Sequence, residues 1–119
     1  MIEYQLGVIE TKFAEIIWEN EPISSAVLSK ICLEKLGWKK STTYTVLKRL
    51  CDKGIFVNKE GTVTALVSKE EFYALQSEKF VENTFGGSLP KFLAAFTARK
   101  TLTKEEVEEL KQMIENYGG

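Results

Sequence analysis

A chain of 119 residues that is 44% hydrophobic and 28% charged, with a net charge of −1, reads as one globular domain or a small domain with an appendage. No apolar run approaches the roughly 18 residues of a membrane span, and MIEYQLGVIETKF carries acids where a signal peptide carries cations, so a cytoplasmic protein without membrane insertion is expected. Histidine is absent, which removes the commonest general base and metal ligand; with no Gly-rich phosphate loop either, neither an enzyme nor a bound cofactor or metal is expected.

Residues 6–20, LGVIETKFAEIIWEN, set Ile9, Phe13, Ile16 and Ile17 on one stripe of a first helix, which Pro22 ends. A second helix fits 24–36, with Val27, Leu28, Ile31 and Cys32 inward and Gly37 as its stop. The third, 41–53, turns Thr43, Val46, Leu47 and Leu50 to one face at 100° per residue. Ser41, Thr45, Lys48 and Asp52 lie opposite, flanked by Thr42, Tyr44 and Arg49, and Gly54 closes the helix.

The period then changes. IFVNK and TVTALV around Glu60-Gly61 read as a β-hairpin. Three short helices followed by a hairpin are the order of a winged helix-turn-helix, so the expected fold is mainly α with a small β-hairpin, the wing.

A second segment opens at a Ser68/Glu71 capping box, dividing the chain into a winged-helix domain, 1–68, and a helical domain, 69–119. Phe72, Leu75, the stem of Lys79, Phe80 and Phe85 form the apolar side of a helix that Gly86-Gly87 break. Ser88 caps LPKFLAAFTA, and a Thr103/Glu106 box starts a last helix with Val107, Leu110, Met113, Ile114 and Tyr117 on one face. The acids of EEVEE, 105–109, suit a helix N-terminus and solubility. Five of the seven phenylalanines fall in this segment, more than three short helices bury alone. Phe72, Phe80, Phe85, Leu89, Phe92, Phe96, Val107, Leu110 and Ile114 are therefore expected to pack on a second copy, the alternative being that they fold back on the winged domain.

Residues 30–59 hold eight cations against Glu34 and Asp52, a local +6 that leaves −7 for the remainder. Phosphates attract lysine and arginine, while short hydroxyls bond phosphates or base edges. Lys39, Lys40, Ser41, Thr42, Tyr44 and Thr45 occupy the helix start that recognition helices aim into the major groove, with Lys48 and Arg49 one turn on and Lys59 and Thr62 at the wing tip. Double-stranded DNA is the expected partner of this set. The alternative is a winged-helix interaction module whose basic helix binds an acidic protein; three clustered hydroxyls favour DNA. Trp18 and Trp38 read as core or interface anchors. Cys32 and Cys51 read as small core residues, with a redox pair or two-thiol metal site as the other readings.

These residues also carry a resemblance. Glu10 with Ile16-Ile17-Trp18, then Trp38, Ser41-Thr42, Thr45, Leu47, Arg49-Leu50 and Lys53-Gly54, then Phe85-Gly86-Gly87-Ser88 and Leu102, Glu106 and Leu110, follow in order the motifs of the penicillinase-repressor family. The chain resembles that family over nearly its whole length. The resemblance implies a homodimeric transcriptional repressor on a palindromic operator, of the kind that controls β-lactamase or penicillin-binding-protein operons. It also implies a membrane sensor protease as a partner that relieves repression by cutting the C-terminal segment. The corresponding bond is Ala95-Phe96, where β-lactam-responsive members have Asn-Phe, and the tail lacks the cysteines of the copper-responsive branch. Gly7 stands where Ser or Thr often caps the first helix, and Thr43 replaces an inner Val or Ile.

Overall fold

A computed structural model describes residues 6–117. The chain runs α1 (Val8–Asn20), β1 (Ile23–Ser24), α2 (Ser25–Leu36), α3 (Lys40–Asp52), β2 (Phe56–Lys59), β3 (Thr62–Ala65), α4 (Lys69–Phe85), α5 (Leu89–Thr97) and α6 (Lys104–Tyr117). It divides into two compact units between Lys79 and Phe80. None of the described helices is long and apolar enough to cross a membrane.

The first unit is a winged helix. Gly7 has no side chain with which to cap α1, and Glu10 compensates by reaching back to accept the Gly7 N–H at 3.2 Å. Apolar burial in α1 begins only at Phe13: Phe13, Ala14 and Ile17 are fully buried, whereas Ile9, expected on the inner stripe, is half exposed. Helical period assigns a face, but a neighbour must cover it. Ser24 caps α2 by accepting the Val27 N–H at 3.1 Å. The stripe that meets α3 is Leu28, Ser29 and Cys32, with Ile31 only half buried. Val27, in the first turn, stays 47% exposed instead of pointing inward.

The hairpin forms with Glu60 and Gly61 at its tip, both at positive φ (51° and 86°), which is a two-residue primed turn matched to strand twist. The sheet holds one strand more than the hairpin. Its order is β1-β3-β2, all antiparallel, with Ile23 opposite Val63 and Ser24 opposite Thr62. Glu21 adds a side-chain bond, its Oε1 accepting the Ala65 N–H at 2.7 Å. Phe56 and Val63 of the sheet share one core with the fully buried Phe13, Ile17, Leu28, Leu47, Leu50 and Ile55.

Phe72 belongs to this core. Although the sequence groups it with the dimerising face, it is fully buried with its ring 5.4 Å from Trp18. The first turns of α4 thus complete the winged unit. Trp18 also meets Phe56 and Tyr73 with tilted rings (5.4 and 6.1 Å), and Trp38 packs on Phe13 at 5.3 Å, so both indoles are core anchors.

In the second unit Ser88 and Thr103 cap α5 and α6: Ser88 accepts the Lys91 N–H at 3.2 Å, and Thr103 exchanges bonds with Glu106 at 2.9 and 3.1 Å. Phe80, Phe85 and Phe92 meet edge to face with centroids 5.6–6.1 Å apart, and Phe96 lies 6.1 Å from Phe92. No described residue of this unit is buried. Phe80, Leu89, Phe96, Val107, Met113 and Ile114 are exposed, and Phe85, Phe92 and Leu110 half buried.

Candidate nucleic-acid interface

α2 and α3 are joined by Gly37-Trp38-Lys39. Gly37 adopts φ 67°, a left-handed conformation that glycine takes without steric cost, and its N–H closes α2 onto Leu33 at 3.1 Å. The chain thereby turns within three residues, and Trp38 on Phe13 pins the corner. This short turn sets the start of α3 outward. Thr43, Val46, Leu47 and Leu50 are buried as the sequence period requires, leaving Lys40, Ser41, Thr42, Thr45, Lys48 and Arg49 exposed, with Lys39 beside them.

The exposed side chains differ in their commitments. The Thr45 hydroxyl donates to the Ser41 carbonyl at 2.9 Å, so its proton stays within the helix while its lone pairs and methyl face outward. Tyr44 is half buried; its hydroxyl donates to Ser25 Oγ at 3.4 Å, and the Lys40 ammonium lies 5.7 Å from its ring centroid. Lys39, Lys40, Lys48 and Lys59 form no ion pair among the described residues. At the wing, Lys59 stands directly opposite Thr62 and both are exposed. Between α3 and the wing runs an open groove of about 330 Å³, floored by Leu47 and Phe56 and edged by Lys48 and Asn58.

Arg49 is placed differently from the other cations. Its Nη1 donates to Glu10 Oε2 at 3.3 Å, and Lys53 Nζ lies 3.6 Å from Glu10 Oε1. Burial pushes the Glu10 carboxyl up, but the Gly7 N–H, the Arg49 hydrogen bond and the charges of Lys53 and Arg49 together hold it below its ordinary value. The sequence marks Glu10 as a motif residue but not as the partner of Arg49 and Lys53. Its position three residues after Gly7 signals a helix cap; nothing local signals a partner 39 residues away.

Cys32 is buried and Cys51 partly so, and both thiols are free. Burial raises Cys32 against a smaller opposing effect of the Thr43 hydroxyl; burial and the Asp52 charge raise Cys51 against the Asn58 backbone. Both sit as protonated small core residues. The Ala95-Phe96 bond lies inside α5, with both residues exposed.

The chain is 26% identical to the penicillinase repressor of Bacillus licheniformis over 117 residues, covering 95% of this chain and 91% of the relative. It is 23% identical to the methicillin resistance regulatory protein MecI of Staphylococcus epidermidis over 116 residues, 93% of this chain and 94% of that protein. An uncharacterized 16.5 kDa protein of Latilactobacillus sakei is 28% identical over 92% of this chain and 78% of its own length. The penicillinase repressor family profile matches residues 6–116, spanning the α3 face, the wing and the second unit alike, and the chain belongs to that family.

Proposed function

We propose that this chain is a sequence-specific transcriptional repressor that binds a palindromic DNA operator as a homodimer. The observation that carries the reading is the start of α3: Lys40, Ser41, Thr42, Thr45 and Lys48 are exposed on one helix face, the lysines have no acid partner among the described residues, and Lys59 and Thr62 stand at the wing tip. Unpaired lysines on a slightly acidic chain are available to displace counterions from phosphate. Thr45 is then a base reader: with its proton held by Ser41, the hydroxyl can only accept, which suits the amino group of adenine or cytosine, while its methyl suits thymine.

The homodimer is supported by the second unit, where no described residue is buried although phenylalanines and aliphatics fill its helices. A second copy supplies the missing cover. In this reading Phe80, Phe85, Leu89, Phe92, Phe96, Val107, Leu110 and Ile114 form the interface, residues 1–68 supply the DNA contacts and 69–119 the dimer contacts, with Phe72 serving the first core. The names of the relatives point to resistance genes as the regulated class. A sensor protease cutting at Ala95-Phe96 would have to unwind α5 locally, since the bond is helical.

Selection of sites from a random duplex pool, with enriched sites retested against salt, tests the reading. An enriched palindrome bound by a dimer with a steep negative salt slope supports it. No enrichment, with only weak salt-sensitive association, overturns it in favour of an acidic protein partner.

A further inference from the structure

Glu10 joins three partners at the edge of the basic face. Its Oε1 accepts the Gly7 N–H at 3.2 Å and lies 3.6 Å from Lys53 Nζ, and its Oε2 accepts from Arg49 Nη1 at 3.3 Å. Only 17% of the Glu10 side chain and 17% of that of Lys53 are exposed, against 53% for Arg49. The arginine is therefore the outer member of a cluster anchored on α1. One of its N–H groups meets Glu10, and the remaining donors of the planar fork have no acceptor among the described residues.

We propose that Glu10 is a positioning residue for DNA binding, holding the Arg49 guanidinium in place for a backbone phosphate. The proposal rests on the repressor reading above. A long unheld side chain loses rotamer freedom when it engages phosphate, and a carboxylate that restrains it beforehand removes part of that cost. The same carboxylate repels phosphate. The two effects have opposite signs: if Glu10 positions Arg49, neutralising it weakens DNA binding; if it merely offsets charge, neutralising it strengthens binding.

The full-length chain with Glu10→Gln keeps an oxygen for the Gly7 N–H, so the start of α1 is preserved while the anion is lost. Binding to a duplex carrying the enriched site is measured by anisotropy at fixed salt for wild type, Glu10→Gln, Arg49→Ala and the double variant. The expected result is a loss of roughly threefold to fivefold for Glu10→Gln, the weight of one partly exposed ion pair, and no further loss when Arg49 is already alanine. Unchanged or tighter binding by Glu10→Gln overturns the assignment, as does an equal loss in both backgrounds, which marks a general structural defect. If the wild-type chain shows no selective DNA binding, the repressor reading fails first and Glu10's role with it.

Discussion

The indole N–H of Trp18 donates to the carbonyl of Val67 at 3.0 Å, tying α1 to the residue at which the chain leaves the wing. The same ring touches Phe56 and Phe72, so one side chain binds the first helix, the hairpin and the start of α4 into one core. Trp18→Phe keeps much of the apolar contact but orphans the Val67 carbonyl. A loss of about 1–3 kcal/mol is expected, read as a lower urea midpoint with an unchanged slope.

Thr43 is the inverse case. Its Oγ1 is buried with only the Cys32 thiol, a weak sulfur partner, beside it and no well-formed hydrogen bond, in a helix face otherwise made of Val46, Leu47 and Leu50. Thr43→Val replaces the hydroxyl with a methyl of similar size and removes a polar group that the Cys32 thiol compensates only weakly. Stability should rise by about 1 kcal/mol. Thermal unfolding checks this, and a lower midpoint would mean that the hydroxyl has a role in the core.

The Glu10 cluster makes stability depend on pH with a definite sign. Because the folded-state carboxyl titrates below its ordinary value of 4.5, its contribution is fully present above that value and is lost as pH falls through the lowered one. Wild type should exceed Glu10→Gln by about 1 kcal/mol or less at neutral pH. Urea titrations should show that gap closing in strongly acidic buffer, and a gap constant to low pH would contradict the ion-pair origin.

Base reading and phosphate binding separate by substitution. Thr45→Ala should flatten preference at one operator position by roughly 1–3 kcal/mol while leaving non-specific binding nearly intact. Lys48→Ala should weaken binding to every sequence and reduce the salt slope by about one. Competition against single-base operator variants distinguishes the two patterns.

Where the chain is cut decides whether the winged unit survives alone. Termination after Lys79 keeps Phe72 on Trp18 and should leave a folded, monomeric domain that binds DNA weakly. Termination after Lys69 deletes Phe72 and should cost about 3–5 kcal/mol, as for emptying a buried phenylalanine site. Sedimentation and circular dichroism of the two fragments report assembly and folding independently; a dimeric Lys79 fragment would move the dimer contacts into the winged unit.

What the sequence determined by itself was local. Apolar spacing set which face of α3 is buried and hence which residues remain for a partner. Ser24, Ser68, Ser88 and Thr103 marked helix starts, each hydroxyl accepting a backbone N–H three residues on. Glu60-Gly61 marked the turn of the wing. Such signals are readable because the interacting groups lie within a few residues of one another, so spacing alone carries them.

Tertiary structure decided the rest. β1 is two residues long, too short to show a period, and exists because β3 offers an edge to Ile23 and Ser24. Val27 and Ile9 have the right residue type for a core yet stay about half exposed. Phe72 could have served either unit until Trp18 claimed it. Arg49 and Glu10 lie 39 residues apart, and Trp18 and Val67 lie 49 apart. Contacts of that span depend on how the helices cross, which side-chain periodicity along one segment does not encode.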